Sequence, residues 1–87
     1  MMKNKTDRDK MNEEWLRLCK DHQINIYYEE KKKRWCMYGN GLTIANCLRA
    51  TRAKRIKIGE EIYEMAEATH QIYQLAEIKF AFSELIF

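Results

Sequence analysis

The sequence predicts a small α+β domain spanning residues 1–87, and three observations support this fold class. Residues 11–22 place apolar side chains at helical spacing, residues 24–38 alternate as β-strands do, and residues 58–80 repeat an apolar face every three to four positions. Two Trp and five Tyr argue against a disordered chain. Three Gly and no Pro exclude collagen-like and turn-rich all-β proteins.

The first predicted element is a helix over residues 6–22. Thr6 is the expected N-cap, and Asp9 follows at the third helical position, as in a capping box with a shorter acid. Four apolar residues then fall on one stripe at spacings of four, three and one: Met11, Trp15, Leu18 and Cys19. Because this stripe is narrow, we expect the helix to pack on the rest of the domain.

A β-hairpin is predicted over residues 24–38. Ile24, Ile26 and Tyr28 alternate with more polar positions, and β-branched and aromatic residues favour strands. Residues 31–33 form the connecting polar loop, and residues 34–38 form the second strand. Residues 39–41, Gly-Asn-Gly, predict a tight turn because all three tolerate positive φ.

Residues 42–48 fit two structures. Leu42, Ile44, Asn46 and Leu48 alternate as in a third strand, whereas Thr43 is a suitable cap for a helix. The alanines at 45, 50 and 53 favour helix by propensity. We therefore predict a short basic helix here, with the third strand as the alternative.

A long C-terminal amphipathic helix is predicted from Gly59 onwards, with glutamates opposite its apolar face. Beyond position 75 both sides become apolar, which predicts burial against a second copy or a protein partner. The alternative is a break near Lys79, with the tail folded back on its own sheet. The predicted homodimer or partner interface comprises Leu75, Ile78, Phe82, Leu85 and Ile86.

The charge is strongly asymmetric. Residues 1–58 contain 15 Lys and Arg against 7 Asp and Glu, whereas residues 59–87 contain one Lys and six Glu. Clustered Lys and Arg attract phosphates, and the aromatic residues at 27, 28, 35 and 38 suit base stacking. Nine basic residues form the predicted nucleic-acid-binding set: Lys31, Lys32, Lys33, Arg34, Arg49, Arg52, Lys54, Arg55 and Lys57.

Catalytic and metal-binding patterns are not found, so we predict no enzyme, no cofactor and no metal site. The sequence contains no phosphate-binding loop, dinucleotide fingerprint or zinc-protease motif, and His22 and His70 have no metal-ligand spacing with any Cys. Three cysteines without a visible secretion signal predict reduced thiols in the cytoplasm. No stretch approaches the length of a membrane span.

Two function classes follow from these features. The first is a small non-enzymatic module that contacts nucleic acid or a nucleic-acid-handling complex through its basic face and self-associates through its C-terminal helix. The alternative is a phage or mobile-element accessory protein of the anti-defence or anti-CRISPR type, which inhibits a host or defence protein by direct binding.

Overall fold

The computed structural model describes the backbone of residues 7–87 and the side chains of residues 13–87. It is a small α+β fold in which helices cover two antiparallel sheets. The three helices are α1 (Asp7–Asp21), α2 (Gly41–Ala50) and α3 (Met65–Ile72). The predicted first helix is thereby confirmed to within one residue at each end, while the Thr6 cap and the Met11 side chain lie outside the described residues.

Six strands form two three-stranded sheets. The strands are β1 (Asn25–Glu29), β2 (Arg34–Gly39), β3 (Arg55–Ile58), β4 (Glu61–Glu64), β5 (Ile78–Phe82) and β6 (Glu84–Ile86). The first sheet has the order β1-β2-β5 and the second has the order β4-β3-β6. All four strand pairs are antiparallel.

The predicted hairpin is confirmed as β1 and β2. Tyr27 faces Cys36 and Glu29 faces Arg34, so the connecting turn has four residues, 30–33. The Glu29 carboxylate accepts a hydrogen bond from Arg34 Nε at 2.9 Å and closes the turn as an ion pair. Lys33 has φ 51°, a left-handed conformation that a non-glycine residue rarely adopts.

Residues 41–50 form a helix, so the third-strand alternative for 42–48 is wrong. The cap is Asn40, whose side chain accepts from the Leu42 N–H at 2.9 Å, rather than Thr43. Gly41 begins the helix beside the end of α3, and its N–H donates to the Leu75 carbonyl at 2.8 Å. Backbones approach this closely because Gly41 has no side chain.

The predicted long C-terminal helix is not found. Residues 61–64 are a strand, α3 ends at Ile72, and the tail returns as β5 and β6. The physical reason lies in the tail itself, where Ile78, Phe80 and Phe82 alternate onto the inner face of the first sheet, with both Phe side chains buried. The alternative of a tail folded back on its own sheet is closer to the observed fold, although the break comes after Ile72 rather than near Lys79.

One hydrophobic cluster joins the three helices to both sheets. It includes Cys19 from α1, Leu48 from α2, Ala68 from α3, Phe82 from the first sheet and Ile56 from the second. β5 and β6 run consecutively, with Ser83 alone between them. The Ser83 N–H donates to the Lys57 carbonyl at 2.8 Å and its hydroxyl donates to the same oxygen at 3.2 Å. Ser83 is therefore the point at which the two sheets join.

Candidate functional site

A cleft of about 890 Å³ opens where the two sheets meet. Its walls come from α1, from the turn between β1 and β2, from the C-terminal end of α2, and from β3 and β6. Ser83, the junction between the sheets, lines it as well. The fold therefore brings segments that are far apart in sequence to one concave surface.

Aromatic rings line much of the cleft. Trp15 packs edge-on against Phe82 with ring centroids 5.6 Å apart, and Tyr28 packs edge-on against Trp35 at 5.0 Å. These four rings and Phe87, which is 57% exposed, all contribute to the lining. The edge-on contacts fix these rings relative to one another. Trp15 and Phe82 are almost fully buried, so the accessible aromatic surface comes from Tyr28, Trp35 and Phe87.

The Trp15 indole has an unusual environment within this lining. Trp15 is only 6% exposed, and its Nε1–H is buried with no hydrogen-bond partner among the described residues. A buried indole N–H usually finds an acceptor, and leaving it without one costs about 1–3 kcal/mol. The Trp15 indole N–H is therefore a buried donor whose desolvation no described residue offsets.

Three lysines surround the aromatic lining. Lys32 and Lys33 come from the hairpin turn, and Lys57 comes from β3. Lys33 is the residue in the left-handed conformation, which costs about 1–2 kcal/mol. Glu14 and Glu84 also line the cleft, so its formal charge is positive by one unit.

A smaller hollow of about 360 Å³ adjoins the cleft and extends the basic surface around the hairpin tip. Lys32 and Ser83 line both depressions, and Arg34 and Ala81 line only the smaller one. Arg34 and Ala81 lie on the face of the first sheet opposite to that of Trp35 and Phe82, since neighbouring residues of a strand alternate. Basic side chains therefore continue from the cleft towards the outer face of the first sheet.

The structure divides the nine predicted basic residues into two groups. Lys32, Lys33 and Lys57 meet in the cleft, Arg34 lies beside it, and Lys31 is exposed in the same turn. The remaining four, which do not line the cleft, are Arg49, Arg52, Lys54 and Arg55. The fold therefore brings the basic residues of the turn into one cleft with Lys57, the last residue of the 49–57 segment.

Glutamates on the two neighbouring strands lie opposite the basic residues of β3. Arg55 lies opposite Glu64 on β4, and Lys57 lies opposite Glu84 on β6. Opposed residues of an antiparallel pair share a face, so their charges interact. Arg49 is engaged elsewhere, because its Nε donates to the Thr69 hydroxyl at 3.3 Å. The basic and acidic parts of the sequence therefore interleave within one chain, which lowers the positive potential around Arg55.

Comparison with known proteins provides no family for this fold. No protein-family model, curated protein or solved structure matches the chain. Among the side chains of residues 13–87, no group of three or more His, Cys, Asp or Glu is arranged to hold a metal ion. None of the helices described is long and apolar enough to cross a membrane.

Two of the four hairpin aromatics lie on the outer face of the first sheet. Tyr27 is 44% exposed and Tyr38 is 37% exposed, whereas Tyr28 and Trp35 are half-buried on the inner face. The Tyr27 and Tyr38 rings stack with centroids 5.9 Å apart and an interplanar angle of 19°, and their hydroxyl oxygens are 3.2 Å apart. Lys79 Nζ lies 5.8 Å from the centroid of the Tyr38 ring. We call Tyr27, Tyr38 and Lys79 the tyrosine platform.

Hydrogen bonding also shifts the pKa of Tyr27. The hydrogen bond with Tyr38 is the main cause that raises the pKa of Tyr27 above its ordinary value of 10.0, followed by a hydrogen bond with Cys36. Cys36 is fully buried on this same face, directly opposite Tyr27 in the strand register. The two tyrosines therefore cover a thiol and hold each other in place.

The predicted homodimer interface is dispersed. Phe82 is 1% exposed in the core, Leu75 is 45% exposed in the segment after α3, and Ile78, Leu85 and Ile86 are half-buried on two different sheets. These five residues do not share one helical face, so the fold provides no support for them as a joint surface. Self-association stays a prediction from the sequence alone.

The three cysteines are free and buried. Cys19 and Cys47 lie with their Sγ atoms 3.9 Å apart between α1 and α2. Their shared hydrogen bond is the main cause that raises the pKa of Cys19, with burial adding to it, and the same bond lowers the pKa of Cys47. These thiols serve as core packing here, as their burial predicts.

Sequence reasoning missed part of the cleft. The sequence predicts Trp15 on the apolar stripe of a helix and Phe82 in an interface. The two rings meet at the cleft because α1 packs against β5, and no local sequence pattern contains that contact. In the sequence, Lys79 stands out only as the single basic residue of the acidic half and as the place of a possible helix break. Its position on the platform follows from the register in which it faces Tyr38.

Proposed function

We propose that this chain is a non-enzymatic module that binds nucleic acid through the cleft and the adjoining hairpin tip. The single observation that supports this function best is the combination of three accessible aromatic rings, Tyr28, Trp35 and Phe87, with three lysines in one concave surface. Lysines attract phosphates without reading sequence, and aromatic rings stack bases. The two chemistries that nucleic acid offers therefore have partners in one place.

The hairpin turn supports the same proposal. Backbone strain that persists at a surface turn is often connected with function, and Lys33 carries it where a glycine would relieve it. The strained turn contributes Lys32 and Lys33 to the lining of the cleft, and β3 contributes Lys57. A phosphate backbone bound in the cleft would contact lysines from both elements.

The number of basic residues fixes the expected salt dependence. Three lysines line the cleft, and Lys31 and Arg34 adjoin it, which gives three to five phosphate contacts. For a single strand, a slope of about −0.7 per contact predicts a loss of affinity of about 20- to 130-fold between 50 and 200 mM salt. This loss is measured by fluorescence anisotropy with fluorescein-labelled 12-nucleotide dT and rU strands and a 12-base-pair duplex.

A charge-matched pair of variants locates the site. Lys32→Glu with Lys57→Glu reverses two cleft lysines, and Arg52→Glu with Lys54→Glu reverses two exposed basic residues outside the cleft. We expect the cleft variant to bind at least about tenfold more weakly than the control and to lose about 1.4 from the salt slope. Equal weakening by both variants would assign the binding to net charge and exclude the cleft.

Intrinsic fluorescence gives a second readout. Both tryptophans of the chain, Trp15 and Trp35, line the cleft. Binding of unlabelled dT strands should therefore quench their emission with the same affinity that anisotropy reports. Absence of any binding at 50 mM salt would refute a nucleic-acid function and favour a protein partner.

A further inference from the structure

The outer face of the first sheet is a second aromatic surface, separate from the lining of the cleft. Alternation along the strands assigns Asn25, Tyr27 and Glu29 of β1 to this face. The register adds the residues that lie opposite them: Arg34, Cys36 and Tyr38 on β2, then Lys79 and Ala81 on β5. Met37, Phe80 and Phe82 occupy the inner face instead and are almost fully buried. The contrast with the exposed Tyr27 and Tyr38 shows that no described helix covers the outer face.

The tyrosine platform is ordered before any ligand arrives. The ring stacking and the hydroxyl contact hold Tyr27 and Tyr38 together, and Lys79 adds a cation near the Tyr38 ring. Side chains that are already fixed lose little freedom on binding, which favours affinity. Two large exposed rings in fixed geometry on a strand face indicate a contact surface rather than scattered surface residues.

The charge of this face selects the class of ligand. Its single acid, Glu29, is paired with Arg34 at 2.9 Å, so Lys79 remains as the cation whose charge no described residue on the face offsets. The turn 30–33 contains Glu30 and three lysines, so it extends a net positive charge beyond the turn end of the sheet. A π-surface with nearby cations and no uncompensated acid fits a polyanion that carries flat, unpaired bases.

We propose that the tyrosine platform binds the unpaired bases of a single-stranded nucleic acid, with Lys79 contacting its phosphates. This inference rests on the proposed function and restricts it to single strands, because bases inside a duplex do not expose their faces to a flat sheet surface. The smaller hollow, which Lys32 and Arg34 line, adjoins the cleft and reaches the outer face. Because Arg34 is paired with Glu29, Lys32 provides the cation along which one strand passes from the first surface to the second.

Paired substitutions separate ring stacking from other roles of the tyrosines. Tyr27→Leu with Tyr38→Leu removes both π-faces but keeps apolar side chains, whereas Tyr27→Phe with Tyr38→Phe keeps the rings and removes the hydroxyls. Tyr73→Leu is the control, because Tyr73 is equally exposed at 38% but lies at the end of α3. Circular-dichroism melts of all variants verify that the fold is retained.

The probes are the labelled dT and rU 12-mers and the 12-base-pair duplex at 50 mM salt. Each stacked base contributes about 5- to 150-fold in affinity. We therefore expect the Leu pair to bind the single strands at least about tenfold more weakly, with the duplex unaffected. The Phe pair and Tyr73→Leu should stay within about threefold of the wild type.

Other outcomes overturn the inference in distinguishable ways. If the Leu pair binds single strands like the wild type while the Lys32 and Lys57 reversal weakens them, the platform is excluded and the cleft function stands. If the wild type binds neither single strands nor duplex, both proposals fail together. Equal loss of duplex and single-strand affinity would exclude stacking of unpaired bases. A change from dimer to monomer in light scattering would instead make this face an interface between copies of the chain.

Discussion

The contact between Gly41 and the end of α3 yields a prediction opposite in sign to the usual rule for helical glycines. Replacing glycine by alanine within a helix ordinarily stabilises a protein by about 0.5–1 kcal/mol. At Gly41, a Cβ would lie 2.6 Å from the carbonyl oxygen of Leu75 and still closer to that of Ile72. Both neighbours are backbone atoms, so neither moves aside by a rotamer change, and α2 must shift away from α3.

The expected cost follows from two contributions. Forcing atoms into a packed contact costs about 1–3 kcal/mol, and the shift also weakens the hydrogen bond from Gly41 N–H to Leu75, worth about 0.5–1.5 kcal/mol. After subtraction of the gain in helix propensity, Gly41→Ala should lower the free energy of unfolding by about 2 kcal/mol. For a chain of this size, that corresponds to a decrease in Tm of about 8–16 °C.

Urea denaturation followed by circular dichroism measures this change. The control is Asn46→Ala, an exposed position of the same helix, at which alanine should stabilise by a few tenths of a kcal/mol. If Gly41→Ala has a denaturation midpoint equal to or above that of the wild type, the close approach of α2 and α3 is refuted.

Two further predictions concern the core and the platform. Phe82→Ala should lower the free energy of unfolding by about 3–5 kcal/mol, because the ring is 1% exposed, whereas the 57% exposed Phe87→Ala should stay within about 0.5 kcal/mol. Similar denaturation midpoints for the two variants would contradict the buried position of β5. In an ultraviolet titration, Tyr38→Phe should bring the raised pKa of Tyr27 back towards 10.0, since it removes the main cause of the shift. The raised pKa of Tyr27 favours the neutral phenol in the folded state. The contribution of this hydrogen bond to stability is therefore complete below pH 10 and is lost as the pH rises through the pKa of Tyr27 in the folded protein. Identical titrations of the wild type and Tyr38→Phe would argue against the hydroxyl contact.

Local patterns predicted the elements whose stability is local. The alternation in residues 24–38 correctly predicts the hairpin, and the alanines around 45–50 correctly predict α2. Both structures depend mainly on residues that are close in sequence. The prediction of one long helix after Gly59 is wrong. Ile62, Met65 and Thr69 fit helical spacing, but Ile62 belongs to a strand. There, pairing with β3 outweighs a weak helical preference, and that pairing is tertiary information.

The candidate site was predictable only in part for the same reason. The basic turn is visible in the sequence as four consecutive Lys and Arg residues, and it adjoins the cleft. The partners of that turn come from elsewhere: Trp15 precedes it by sixteen residues or more, and Phe82 follows it by almost fifty. The neutralising effect of β4 and β6 on Arg55 and Lys57 also depends on strand register, which composition does not contain.

The consecutive strands on either side of Ser83 have a consequence for how the protein folds. One short run of chain, 78–86, supplies the third strand of each sheet, so neither sheet is complete until that run docks. The residues of β2 and β3 with which it pairs lie 27 to 47 positions earlier. The entropy cost of closing such loops comes before any gain from strand pairing. We therefore expect the two sheets to form and melt in a single cooperative transition whose rate-limiting step is docking of this run. The proposed cleft and the complete tyrosine platform, which includes Lys79 of β5, then form in the same step.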